Sequence, residues 1–124
     1  MHLNNLYTVQ AVSEKENIIW AIIRLNEDHP VFQGHFPGQP VLPGVCMMEI
    51  ITEITGETLN REFRISGGPM IKFLHMIVPE IHPVIELEIE FQPSGEKITA
   101  RGKIFYESRV FMKYQLLLVP EMYG

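Results

Sequence analysis

The segment that most constrains the fold is residues 43–56, which predicts a helix that is apolar on almost every side. Pro43 and Gly56 bound this segment, since a proline suits the first turn of a helix and a glycine is common just past its end. Only Glu49, Thr52 and Glu53 form a polar face, because positions i, i+3 and i+4 share one side of a helix. A helix that is apolar all round is buried all round, so the rest of the chain must surround it. The apolar positions are Val45, Cys46, Met47, Met48, Ile50, Ile51 and Ile54.

The remaining segments predict strands. A long connection at residues 26–43, rich in proline and glycine, separates the first two strands from the helix. Strands do not alternate with helices, which favours an antiparallel sheet. We therefore predict one α+β domain, residues 1–124, with a sheet of about six strands wrapped around the one buried helix. The predicted strands are residues 6–12, 17–25, 70–78, 84–91, 97–107 and 109–119, with a short extended segment at 62–65 before a break at 66–69.

Charge patterning predicts that two neighbouring strands form an antiparallel hairpin. Three glutamates alternate with apolar residues along one strand, and three basic residues share one face of the next. Opposite charges on facing strands stabilise their pairing, and residues 92–96 supply the turn between them. The charged residues are Glu86, Glu88, Glu90, Lys97, Arg101 and Lys103.

Composition excludes several classes of function. The 124 residues are 46% hydrophobic with a net charge of −5, which is typical of an ordered domain and not of a basic nucleic-acid-binding protein. We find neither a signal-peptide pattern nor an apolar run of the roughly 18 residues that a membrane span requires. The one cysteine, Cys46, cannot form an internal disulfide, which favours a reducing compartment. We expect a cytoplasmic protein that binds neither nucleic acid nor membrane.

Residues 29–53 combine groups that suit proton abstraction next to a carbonyl. His35 lies in a loop stiffened by prolines at every third position, and Glu49 lies in the buried helix. The amides of Gly44 and Val45 fall in the first helical turn, where they lack intrahelical partners and can polarise a carbonyl oxygen. No Lys or Arg occurs between residues 24 and 61, so a phosphate cradle is not expected here. A base, a buried acid and a polarised carbonyl suit the elimination of water from a 3-hydroxyacyl compound.

The same segment resembles a known family. The string HFPGQPVLPG at residues 35–44, followed by Glu49, is similar to the signature H-F-P-x-x-P-x-x-P-G-x-x-x-x-E/D of the 3-hydroxyacyl-[acyl carrier protein] dehydratases, which have a hot-dog fold. Every fixed position of that signature is met. The resemblance implies that His35 is the catalytic base, that Glu49 is its acidic partner and that the Gly44 amide binds the thioester carbonyl. Phe36 and Val45 complete the expected substrate-binding residues.

The resemblance also implies the partners of the protein. The substrate would be a thioester of acyl carrier protein or coenzyme A, and no metal or redox cofactor is expected. The family forms dimers in which the two catalytic side chains of each site come from different subunits, so we expect a homodimer, with assembly of dimers into a larger oligomer left open. Independently of the resemblance, four basic residues could contact an acidic carrier protein, but such residues more often form a solvated face, so none is assigned that role. They are Arg61, Arg64, Lys72 and Arg109.

Some features leave alternatives open. Glu53 stands where the family usually has Gln, and we expect its carboxylate to reach solvent. His29, His35 and Glu49 could be considered as metal ligands, but no further ligand has a helpful spacing. Two other functions remain as alternatives, a hot-dog thioesterase and an acyl-binding subunit without catalytic activity.

Overall fold

The computed structural model describes residues 3–34 and 38–122, in which six strands form one sheet. Across the sheet the strands lie in the order β1-β2-β4-β5-β6-β3, and every neighbouring pair is antiparallel. The predicted α+β hot-dog fold, a sheet of about six strands with one central helix, is confirmed. The elements are β1 (Tyr7–Lys15), β2 (Ile18–Leu25), α1 (Val31–Gly34), α2 (Gly44–Leu59), β3 (Phe63–Phe73), β4 (Val84–Ser94), β5 (Lys97–Tyr106) and β6 (Arg109–Pro120).

A single hydrophobic core joins α2 to the inner face of the sheet. Alternate residues of β2 and β4 are buried, as the two-residue period of a strand requires, and Leu87 of β4 is as fully buried as Ile50 and Ile51 of α2. The expectation of a helix buried on every side is wrong at two apolar positions, because Val45 in the first turn is 51% exposed and Met48 is only half-buried. The buried residues of α2 are Cys46, Met47, Ile50, Ile51, Thr52, Ile54, Thr55 and Gly56.

The C-terminal end of α2 lies three residues beyond the predicted end. Helix α2 continues through Gly56 to Leu59 and ends at Asn60, whose left-handed conformation (φ 54°) forms the cap. Gly56 serves a different purpose, since a Cβ atom there would lie 2.5 Å from the carbonyl oxygen of Arg61. The lack of a side chain at Gly56 therefore allows the backbone of Arg61 to approach the helix closely.

Neither helix in the described ranges is long and apolar enough to cross a membrane.

The predicted antiparallel hairpin of β4 and β5 is confirmed. Glu88 faces Lys103 and Glu90 faces Arg101, and the latter pair forms an ion pair of 3.3 Å. The hairpin is longer and its turn tighter than predicted, because the pairing continues to Ser94 before the chain reverses. Opposite charges therefore pair on the exposed face of the hairpin. On the other face, the alternation of buried apolar residues sets which residues lie opposite each other.

Elsewhere the strands differ from the predicted bounds. The extended segment at 62–65 and the strand at 70–78 are one strand, β3, with an irregularity between Ser66 and Met70 that takes the place of the predicted break. This strand ends at Phe73, and residues 74–83 form an irregular connection. The long connection before α2 contains the one-turn helix α1. The sequence pattern did not predict this helix, because one turn is too short to show a periodicity.

The centre of the sheet depends on a close contact at Gly102 of β5. A Cβ atom at this position would overlap the carbonyl oxygen of Glu88 on β4 and lie 3.1 Å from the hydroxyl oxygen of Tyr114 on β6. The Tyr114 hydroxyl donates a hydrogen bond of 2.8 Å to that same carbonyl, and burial raises the pKa of the phenol, which keeps it a donor. Only glycine leaves room for this arrangement.

We expect Gly102→Ala to lower the free energy of unfolding by about 3 kcal/mol, because the added methyl group forces β4 and β5 apart. Urea denaturation followed by circular dichroism measures this change. Gly68→Ala is the matched control, since a Cβ atom at Gly68 has no heavy atom within 4 Å. Equal stabilities of the two variants would contradict the close contact.

Candidate active site

Glu49 lies on a groove that runs along one face of α2. The groove has a volume of about 900 Å³, and the residues that α2 contributes to it are Glu49, Thr52, Glu53, Gly56 and Glu57. This is the polar face that the sequence predicted from the i, i+3, i+4 spacing. The side chain of Glu49 is half-buried, so the carboxyl group is held by the helix and remains reachable from the groove. The groove is also lined by residues 3–5, by Tyr7 and Val9 of β1, by residues 60–63 and by residues 121–122.

The first turn of α2 presents the amides that the sequence predicted as carbonyl-binding groups. Pro43 is the N-cap and contributes no side-chain cap. Its carbonyl oxygen accepts hydrogen bonds from the amides of Cys46 (3.0 Å) and Met47 (3.1 Å), which are the first donors inside the helix. The amides of Gly44 and Val45 precede these donors at the positive end of the helix dipole. This end of α2 can therefore stabilise negative charge on an oxygen.

The ring of Phe73 lies directly against Gly44. A Cβ atom at Gly44 would approach Cζ of Phe73 to 2.5 Å and Cε1 to 2.9 Å. Phe73 is the last residue of β3 and is 55% exposed, so the ring covers the start of α2 from the solvent side. Glycine at position 44 is needed for this approach. The sequence pattern of β3 did not predict the contact between Phe73 and Gly44, because this contact depends on where β3 ends relative to α2.

Glu53 is half-buried, so its side chain reaches solvent only in part. Its Oε1 atom accepts a hydrogen bond of 2.7 Å from the Tyr7 hydroxyl, and its Oε2 atom accepts one of 3.2 Å from the amide of Leu3. Burial raises the pKa of Tyr7, as do the hydrogen bond to Glu53 and the negative charges of Glu53, Glu57 and Glu49, so the phenol stays protonated and remains a donor. The sequence pattern did not predict these two hydrogen bonds, because both donors lie some 50 residues away along the chain.

Cys46 is buried beside the candidate site and is chemically quiet. Burial raises the pKa of its thiol, and the negative charge of Glu49 raises it further. The reactive form of cysteine is the thiolate, which both effects disfavour. Cys46 therefore acts as a small apolar residue of the helix.

The structure separates the predicted site residues into two groups. Gly44, Val45 and Glu49 lie on α2 as expected. His35 and Phe36 lie outside the described residues, so their predicted roles stay predictions. His29 bonds through both ring nitrogens to backbone groups, and the described ranges contain no cluster of three or more His, Cys, Asp or Glu residues that could hold a metal ion.

Replacing Gly44 by alanine tests the packing of Phe73 on α2. We expect Gly44→Ala to destabilise the protein by about 1–2 kcal/mol, because the new methyl group displaces the ring. In a Phe73→Ala background the same change should be neutral or stabilising, since alanine favours the helix over glycine by up to about 1 kcal/mol. Urea unfolding of the four proteins measures the coupling, and Gly68→Ala in both backgrounds serves as the control. Additive effects would contradict the contact.

The sequence relatives agree with the expected chemistry. Residues 10–105 match the ApeI-like family, described as ApeI dehydratase. The 3-hydroxyacyl-[acyl-carrier-protein] dehydratase FabZ of Thermotoga neapolitana is 30% identical over 112 residues, which are 86% of this chain and 80% of that protein. Both matches include the α2 residues Gly44, Val45 and Glu49.

Solved structures share the fold. The dehydratase heterocomplex ApeI:P from Xenorhabdus doucetiae matches with a TM-score of 0.71 and 20% identity over 90% of this chain and 96% of that chain. A hypothetical thioesterase from Streptococcus pneumoniae, solved with coenzyme A, matches with a TM-score of 0.63 and 12% identity over 95% and 90% of the two chains. At these identities the likeness concerns the fold alone, and the assignment rests on the sequence match over residues 10–105. The chain belongs to the ApeI-like family of dehydratases.

Proposed function

We propose that the protein catalyses the reversible dehydration of a 3-hydroxyacyl thioester to a trans-2-enoyl thioester. The observation that carries the proposal is Glu49, which lies half-buried on the α2 groove at the acidic position of the family signature. Membership of the ApeI-like dehydratases and the intact HFPGQPVLPG string support it. The acyl group would be carried by acyl carrier protein or coenzyme A, in the synthesis of fatty acids or of related lipids and polyketides.

The proposed mechanism divides the reaction between a base, an acid and two amides. A ring nitrogen of neutral His35 takes the proton from C2, and the amides of Gly44 and Val45 stabilise the charge that develops on the thioester oxygen. The C3–O bond then breaks, and Glu49, in its protonated form, gives its proton to the departing hydroxyl, which leaves as water. The proton on His35 returns to the carboxylate of Glu49 through solvent before the next cycle. No redox change accompanies these steps.

We infer that the protein forms a homodimer through the free edge of β3. Within the described chain β3 pairs with β6 only, so its other edge is available to a second copy. An open edge strand with exposed apolar residues favours pairing with another chain. The exposed apolar residues on and after this strand are Met70, Phe73, Leu74 and Met76. In such a dimer the loop that carries His35 of one subunit would reach Glu49 of the other, as the family resemblance implies.

The reducing cytoplasm is the proposed location. The single cysteine is free and buried, as expected of a protein that does not rely on disulfides.

Activity of point variants tests the proposed roles. We expect His35→Ala and Glu49→Gln each to reduce hydration of crotonyl thioester by about 1,000-fold, because each removes one partner in the proton transfers. The loss of enoyl absorbance measures the reaction, and a thiol reagent measures hydrolysis of the same substrate. Glu80→Gln, which changes an exposed turn carboxylate, should retain full activity. Release of free thiol without hydration would favour a thioesterase, and tight binding without turnover would favour an acyl-binding subunit.

Mixing the two inactive variants tests the shared site. If each site takes His35 from one subunit and Glu49 from the other, a heterodimer of His35→Ala and Glu49→Gln contains one intact site. Random reassembly of equal amounts should then restore about one quarter of the wild-type activity, because half of the dimers are mixed and each has one working site of two. Refolding the variants separately provides the control. No recovery in a mixture shown to contain heterodimers would contradict the shared site.

A further inference from the structure

Several exposed apolar side chains lie in the two segments that meet at the start of α2. One is Val45 in the first helical turn, and the others are at or just beyond the end of β3, namely Phe73, Leu74 and Met76. Phe73 is the largest of them, and its ring contacts Gly44 without being part of the hydrophobic core. A group of exposed apolar side chains is more informative than a single one, because it marks a surface that contacts another molecule.

The backbone that carries Phe73 is firmly attached to the core. Phe73 faces Met112 of β6, which is fully buried. The amide of Leu74 donates a hydrogen bond of 2.8 Å to the carbonyl oxygen of Phe111, another fully buried residue. The ring is therefore exposed on a backbone that the core holds in place.

A second contact joins the same segment to the start of α2. The amide of Leu42, two residues before Gly44, donates a hydrogen bond of 2.8 Å to the carbonyl oxygen of Ile77. Both side chains are buried. Residues 73–77 thus hold the beginning of the helix at two points, this hydrogen bond and the contact between the ring and Gly44. Together these contacts keep the ring beside the first helical turn.

An apolar ring at this place changes how strongly the first-turn amides act. Helix α2 contains no Lys or Arg, so the amides of Gly44 and Val45 and the helix dipole supply the positive charge at this end. Water competes with a ligand for such donors and weakens their charge interactions. Hydrogen bonds to a developing negative charge are stronger where water is excluded, because the effective dielectric constant is lower.

We propose that Phe73 is the apolar wall of the thioester site and keeps water from the amides of Gly44 and Val45. The inference rests on the proposed dehydration, in which these two amides bind the thioester oxygen. The ring and both amides belong to one chain, so this part of the site does not depend on which subunit supplies the acid or the base. Because more than half of the Phe73 side chain is exposed, the acyl thioester can pack against it.

The kinetic test compares two side chains of similar shape and opposite polarity. Phe73→Met keeps a long apolar group beside Gly44, whereas Phe73→Gln places a polar amide there. Both lose the aromatic ring, so a purely structural role predicts equal effects. The wall predicts that Phe73→Met hydrates crotonyl-coenzyme A within about threefold of the wild-type rate. It predicts that Phe73→Gln lowers kcat by about tenfold with little change in KM.

A matched control separates the position from the change in polarity. Ile81→Gln introduces the same polar group at an exposed turn residue and should leave both kcat and KM unchanged. Equal losses of activity in Phe73→Met and Phe73→Gln would overturn the wall.

Infrared spectroscopy of a bound thioester measures the action of the amides without turnover. Butyryl-coenzyme A has no double bond to hydrate and no 3-hydroxyl group to lose. A carbonyl stretch falls in frequency when its oxygen accepts stronger hydrogen bonds, so we expect the bound stretch to lie below its value in water. Phe73→Gln should return it towards that value, and Phe73→Met should stay close to the wild type. Spectra are compared at the same oligomeric state, established by size-exclusion chromatography, because Phe73 lies at the free edge of β3.

The two measurements distinguish failure of the wall from failure of the proposed function. An identical carbonyl stretch in the wild type and in Phe73→Gln would overturn the wall. A wild type that binds butyryl-coenzyme A but does not hydrate crotonyl-coenzyme A would instead contradict the proposed dehydration. In that case the carbonyl stretch would still decide whether Phe73 acts on the amides of Gly44 and Val45.

Discussion

The structure depends on the burial of α2. A helix with Ile50, Ile51 and Ile54 on its inner sides cannot remain in water, and the sheet supplies a matching apolar face from alternate residues of its strands. Burial also requires that the polar groups of the helix find partners. Thr52 and Thr55 satisfy theirs within the helix, since their hydroxyls donate to the carbonyls four residues earlier at 2.9 and 2.7 Å. The helix can therefore be enclosed without an unsatisfied hydroxyl.

The same burial decides where chemistry can occur. Most of α2 is covered, and what remains reachable is its first turn and the face that carries Glu49 and Glu53. The ring of Phe73 covers part of the first turn, and the Tyr7 hydroxyl and the Leu3 amide bond to Glu53. The candidate site thus consists of the parts of the helix that the core does not use. A rigid, packed helix is a good support for a catalytic carboxyl group, because its backbone cannot move without disturbing the core.

Local patterns predicted the features that local physics decides. The apolar run of α2 predicted the buried helix, and the alternating charges of β4 and β5 predicted their antiparallel hairpin. The prediction failed where a distant partner intervened. Gly56 did not end the helix, because its role is set by the carbonyl of Arg61 across a turn, and Glu53 is only partly exposed, because Tyr7 on β1 binds it. The roles of His35 and Phe36 are predicted from the sequence alone, because both lie outside the described residues.

The sequence by itself determined that one apolar helix lies inside an antiparallel sheet, and its signature indicated a dehydratase family that the relatives support. Only the tertiary structure decided that Phe73 packs on Gly44 and that Tyr7, at the start of β1, bonds to Glu53 of α2. The physical reason is the range of the interactions involved. Burial and charge alternation act between near neighbours and leave a periodic pattern, whereas these contacts join residues that meet only after the whole sheet has formed.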